Sequence, residues 1–182
     1  PSHAKYLVEN NITPIVCTKE LALALNALGA RKRKKIAVHI KVDTGMGRLG
    51  VSSDDAFAFA YMLTRLPWIS LKGVCTHFPL SDSDPDFTRR QQKTFLFISY
   101  AIQEKLNVSL DYIHASNSIG IVAYPNKGFS MARAGLILYG MYPSPTIRSK
   151  ISLEPVMSVK SRVTLVKDVQ KNIGISYGHR FV

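Results

Sequence analysis

The chain has 182 residues, 46% of them hydrophobic and 20% charged, with a formal net charge of +12. That balance is ordinary for a globular protein and allows one domain or part of a larger one. No stretch approaches the roughly 20 apolar residues of a spanning helix, and the N-terminus, PSHAKYLVENN, has neither the apolar segment nor the cleavage site of a signal peptide.

The chain opens on Pro1 rather than Met and reads as an internal piece of something longer. ITPIVCT (12–18) predicts a first strand, and KELALALNAL (19–28) a helix behind it. The run Arg31-Lys32-Arg33-Lys34-Lys35 supplies five of the positive charges. It sits where cations favour a helix C-terminus, and no aromatic residue interleaves it to stack on bases. We therefore read it as a solvated turn and expect neither a nucleic-acid nor a membrane partner. IAVHIKVDT (36–44) is a β-branched second strand, followed by a glycine-rich turn, GMGRLG (45–50).

A helix is expected over about 53–66, opened by the capping-box pattern Ser52-x-x-Asp55 and stopped before Pro67. LKGVCTHF (71–78) is a third strand. Asp84 as N-cap and Pro85 at the first helical position start a long helix, with Phe95, Ile98, Ile102 and Leu106 on its apolar face. LDYIHAS (110–116) predicts a fourth strand, residues 117–124 a short helical segment, and MARAGLILYG (131–140) a fifth strand. Residues 143–152 have the composition of a linker. After it, Met157, Val159, Val163 and Leu165 alternate at period two, the signature of an antiparallel strand. Cys17 and Cys75 lie far apart in apolar runs with no metal-ligand spacing, which predicts buried free thiols, no metal site and a cytoplasmic setting.

Strands alternating with helices indicate parallel α/β architecture. Five such strands cannot close an eight-stranded barrel, so the sheet is either open and doubly wound or part of a barrel. Gly45-Met46-Gly47-Arg48-Leu49-Gly50 matches the dinucleotide fingerprint G-x-G-x-x-G and raises an oxidoreductase as an alternative. That motif expects an acidic residue about 20 positions on. None occurs between Asp55 and Asp82.

Extended to His39-Ile40-Lys41-Val42-Asp43-Thr44 followed by GMGRLG, the segment resembles alanine racemases. Four further blocks agree in order: Thr76-His77-Phe78, His114-Ala115-Ser116-Asn117-Ser118, Met131-Ala132-Arg133-Ala134-Gly135 with Tyr139-Gly140, and Ser176-Tyr177-Gly178. The resemblance implies part of a (β/α)8 barrel, about strands four to eight, followed by the start of a C-terminal β domain. Residues 1–142 would be the partial barrel, 143–152 the linker and 153–182 the β domain.

The implied activity is interconversion of L- and D-alanine with pyridoxal phosphate, by two bases, in a homodimer that supplies D-alanine for the cell wall. A related racemase of serine or basic amino acids shares the motifs. By resemblance, Lys41 is the lysine often carbamylated in the family, Arg48 contacts the cofactor's phenolic oxygen, and Arg133 faces its pyridine nitrogen. A guanidinium cannot accept a proton, so Arg133 disfavours the protonated ring. His77 would link the catalytic tyrosine to Arg133. Asn117, Ser118, Gly135 and Leu136 would hold the phosphate, and Tyr177 would be the base serving the partner subunit. The family's cofactor lysine, in a motif resembling K-A-N-A-Y-G-H-G, has no match here, so this segment by itself is expected to be inactive. Ala134 stands where the family often has Pro.

Overall fold

The computed structural model describes residues 2–181. Five strands, β1 (Ile15–Val16), β2 (Ile36–Asp43), β3 (Val51–Ser52), β4 (Ile69–Cys75) and β5 (Tyr112–His114), all pair in parallel. Their order is β1-β2-β4-β5, with β3 a short pair on β2. Helices α2 (Lys19–Lys32), α3 (Ala56–Thr64) and α4 (Pro85–Leu106) make the crossovers, while α1 (Ala4–Glu9) precedes the sheet and α5 (Ser118–Ala123) follows it. No described helix is long and apolar enough to cross a membrane.

The order never reverses. Crossovers are right-handed almost without exception, so a sequential order lays every connecting helix on one face. A doubly wound sheet needs a switch point and helices on both faces. The arc seen here has neither.

Helices α2, α4 and α5 begin where a side chain satisfies free backbone donors. Thr18 Oγ1 accepts from Leu21 N at 3.3 Å, and Asp84 Oδ1 accepts from Phe87 N at 2.9 Å, with Pro85 at the start of α4 as expected. α2 ends on Arg33 in the left-handed region, and the basic run lies exposed around that end. The α3 start differs from expectation. Ser52 Oγ and Asp55 do pair (2.6 Å), but the helix begins after them at Ala56, with no side-chain cap.

The helix-facing side of the sheet is apolar. Val38, Ile40 and Val42 of β2, with Val74 of β4, are fully buried against Ala22 and Leu25 of α2, Ala60 and Leu63 of α3, and Phe95 and Ile102 of α4. Each large side chain so buried contributes about 1.5–3 kcal/mol, and this layer holds the arc together. The opposite face carries the alternate residues: Ile15, His39, Lys41, Gly73, Cys75, Tyr112 and His114. Both thiols are free, Cys75 buried and Cys17 only partly so.

Two expectations need correction. Residues 131–140 form no strand; a 3-10 turn, Leu136–Tyr139, stands there instead. The chain does run beside β5, but its bonds to it (Ser130 N to Ile113 O, Arg133 N to Ser116 O, both 3.0 Å) fall three residues apart. Ser130 Oγ bonds Ile113 N and Asp111 O in place of the backbone. A ladder needs alternate residues. The alternating stretch around Met157, Val159, Val163 and Leu165 is likewise no strand: among the described residues it has no partner, and its valines are above 80% exposed. Within 143–152, Ile147 is buried in the 3-10 turn Pro145–Ile147.

Candidate active site

The glycine-rich loop is tied down before anything can bind to it. Asp43, the last residue of β2, accepts from the amides of Gly45, Met46 and Gly47 at 2.9, 2.8 and 3.1 Å. Burial works against its charge, yet these amides and nearby Lys41 hold its carboxyl below the usual range. A dinucleotide loop leaves such amides free for pyrophosphate. Here they are spent on Asp43, and β3 separates the loop from its helix, so the oxidoreductase alternative fails on geometry. Gly50 closes the loop at φ +133°, where an added Cβ would lie 2.6 Å from Asp43 N. The loop's work is to carry Arg48 back over the sheet.

Two adjoining cavities open past the C-terminal ends of the strands. The first, ≈ 270 Å³, is lined by Cys17, Lys41, Arg48, Cys75, His77 and Arg133, together with Ile15 and Leu49. The second, ≈ 260 Å³, is lined by His77, Asn117, Ser118, Arg133, Gly135 and Leu136, with Ile119 and Pro143. His77 and Arg133 belong to both and form the wall between them. Neither cavity has an acidic side chain in its lining, while the first has three cations. Such a set suits an elongated, multiply anionic ligand, with one part in each cavity.

Arg133 is the best-anchored of these residues, although no strand carries it. Its Nη2 donates to Thr76 O (2.7 Å), to Ala115 O (3.4 Å) and to His77 Nδ1 (3.3 Å). Its Nη1 contacts His114 Nδ1 and, at 3.4 Å, His114 O. No carboxylate pairs with it among the described residues. A guanidinium is donor only, so both imidazoles must present unprotonated Nδ1 atoms. Burial and then Arg133 push both histidines down, His114 to about 3. His77 is thereby left neutral with its Nε2–H free.

Lys41 is half-buried, and its Nζ has no hydrogen-bond partner. Burial, then Arg133 and Arg48, push its ammonium below the ordinary value against a pull from Cys75 and Asp43. Asn117 caps α5, accepting from Gly120 N at 2.9 Å while donating to Phe78 O and Ser81. Ser118 Oγ accepts from Gly135 N at 3.0 Å, which joins two residues read separately as anion ligands and leaves the hydroxyl proton able to donate.

Of the residues singled out in the sequence, Lys41, Arg48, His77, Asn117, Ser118, Arg133, Gly135 and Leu136 converge on the two cavities. Tyr177 does not: it stands 99% exposed in the 3-10 turn Tyr177–His179, away from His77. The sequence reading assigned no role to His114, His39, Cys17, Cys75 or Gln91. Gln91 Nε2 bonds both Thr44 Oγ1 and His77 O at 2.9 Å and so ties α4 to two strand ends. The parity of β2 carried a usable signal, because His39 precedes Lys41 by two and must share its face.

Comparison with known proteins agrees with this arrangement. Residues 1–143 match the family described as alanine racemase, N-terminal domain. An alanine racemase of Treponema denticola is 38% identical over 175 residues, covering 94% of this chain and 46% of the relative. The solved alanine racemase of Clostridium difficile superposes with a TM-score of 0.84 at 32% identity, covering 99% of this chain and 47% of that one. A histidine racemase of Leuconostoc mesenteroides gives 0.76 at 26%, with 98% and 48% covered. The chain thus spans about half the length of the relatives it matches. By this match and by its own five blocks, the chain belongs to the alanine racemase family.

Proposed function

We propose that this chain forms the cofactor-binding arc of a pyridoxal-phosphate-dependent racemase that interconverts L- and D-alanine. The observation that carries the proposal is Arg133, a guanidinium with no carboxylate partner among the described residues, which walls two cavities free of acidic side chains, one of them lined by two further cations. The fit to the cofactor rests on chemistry present in the chain. Arg48 and Arg133 would contact the phenolic oxygen and the ring nitrogen, and the Ser118 hydroxyl, held by Gly135 N, would take the phosphate together with Leu136 N. When bound, pyridoxal phosphate supplies an electron sink that acidifies the substrate's Cα proton.

The protein's own groups do the rest. Arg133 cannot give the ring a readily lost proton, and this moderates the sink and favours return of the proton to Cα. His77 keeps Arg133 in place and turns an N–H outward. Lys41, with its unpartnered amine, suits carbamylation, which would make an anion able to hold Arg48. Tyr177 would take the proton on one face of the substrate in a partner subunit's site, a role that its exposure in this chain supports. The arc would correspond to about strands four to eight of a (β/α)8 barrel over residues 1–142, with residues 131–140 running in the place of the last strand without forming a ladder. Residues 143–152 would be the linker and 153–182 the start of a C-terminal β domain, in a cytoplasmic homodimer.

A racemase of serine or of basic amino acids is the second reading, raised by one histidine racemase neighbour, while the other relatives reported are alanine racemases. The test uses a protein of the relatives' full length. Alanine, serine, histidine and lysine are offered, and chirality is followed by chromatography. Fastest turnover of alanine supports the proposal; preference for a larger substrate overturns it in favour of the second reading. Borohydride reduction and peptide mapping should place the pyridoxyl label outside this segment, and label on Lys41 would refute its assignment.

A further inference from the structure

We propose that His39 is a positioning residue for Arg133, acting through His114. The argument starts from register. His39 lies opposite Gly73, and Gly73 opposite Tyr112, while His114 stands two residues further along β5, opposite Cys75. His39 must therefore reach across β4 to meet His114. It does so: Nδ1 of His39 lies 3.0 Å from Nε2 of His114, with ring centroids 5.2 Å apart.

The crossing depends on Gly73. A Cβ there would lie 2.9 Å from both Cγ and Cδ2 of His39, and 2.7 Å from Tyr112 O. Gly73 has no positive φ to explain it, so the room it leaves for the ring is its structural reason. On its other side the His39 ring rests against Tyr112 at a centroid distance of 5.2 Å.

The protons in this chain have one consistent arrangement. Arg133 has no lone pair to offer, so His114 Nδ1 accepts and the His114 proton sits on Nε2. That N–H then donates to His39 Nδ1, which places the His39 proton on Nε2. Both rings are neutral, and burial lowers the basicity of both. Without an acceptor at position 39 the buried Nε2–H of His114 would be left unpaired, a cost that favours moving the proton to Nδ1, where it would face the guanidinium donor to donor and loosen that contact. Nη2 would keep Thr76 and His77, so Arg133 would turn rather than leave. Partners behind a ligating group commonly fix tautomer and orientation in this way.

The kinetic consequence rests on the racemase reading; the tautomers do not. The test is long-range ¹H–¹⁵N correlation on histidine-labelled protein of the relatives' full length. Both His39 and His114 should show the neutral Nε2–H form at pH 7. H39L should lose that signature at His114 and lower kcat by roughly 10-fold or more, the lower end of what outer-shell partners cost, with KM little changed. H39Q, whose carbonyl accepts a hydrogen bond, should restore the tautomer and most of the rate. A wild-type His114 protonated on Nδ1 overturns the proposal with no variant needed. An unchanged His114 tautomer in H39L does so as well. Expected tautomers in a protein without racemase activity would leave the proposal standing and sink the functional reading.

Discussion

The stretches 36–75 and 153–181 carry similar β-type patterning but fold differently. In β2 and β4 the alternate residues are sealed, Val38, Ile40, Val42 and Val74 all at 0% exposure, because each strand has neighbours and a helix layer over it. Around 157–166 the same alternation leaves Val159 and Val163 at 87% and 81% exposure, with no ladder among the described residues. Period-two patterning states which residues want to share a face. It makes a strand only where backbone partners complete the ladder, since isolated strands are marginal in water. Each region also offers one proposed catalytic contribution: the first the cavity-lining cations Lys41 and Arg48, the second a single exposed phenol.

The strongest way to break this contrast is Tyr177→Phe in a protein of the relatives' length. An exposed residue with no bond in this chain should cost stability nothing measurable, yet removing a general base should lower proton abstraction from L-alanine by about 10²–10⁴-fold. Deuterium exchange into D-alanine should persist. Equal exchange from both enantiomers at the wild-type rate would make Tyr177 a bystander.

Ile40→Ala tests the sealed region and should reverse that pattern. Emptying a fully buried site costs about 2–5 kcal/mol, read from chemical denaturation. A loss below 1 kcal/mol, well under that range, would mean that the arc is less closely packed than its burial implies.

Acid should loosen the polar face gradually. His114 is pushed from 6.5 to about 3 in the folded state, so between these values the unfolded chain binds more protons. Its contribution is fully present above pH 6.5 and is lost as pH falls toward 3, at about 1 kcal/mol per unit. His39 and His77 are shifted the same way and add to the slope. Denaturation midpoints of wild type and His114→Gln between pH 7 and 4 should diverge in slope; parallel curves would count against a neutral buried His114.

Asp84→Ala should give the smallest effect, about 1 kcal/mol, because it removes one N-cap bond to α4. No change in melting temperature would show that Pro85 alone is enough to start that helix.

Much of the framework was legible in the sequence because its causes are local. Thr18, Asp84 and Asn117 cap helices through bonds to residues three positions away, and β2 announces itself by branched residues on alternate positions. The five blocks also named most of the cavity lining. Residues 131–140 misled because an apolar, strand-like composition cannot reveal that Ser130 takes over the backbone's bonds to β5.

Tertiary structure decided which polar groups meet, and in which direction their protons point. His39 and His114 are 75 residues apart, and their contact needs a parallel register, a shared sheet face and a glycine between them. No local pattern holds those three conditions together. The sequence by itself could put Lys41 and Arg133 in one family motif set; only the folded sheet places an unpartnered amine and a carbonyl-anchored guanidinium on one cavity, because burial and distance belong to the packed chain.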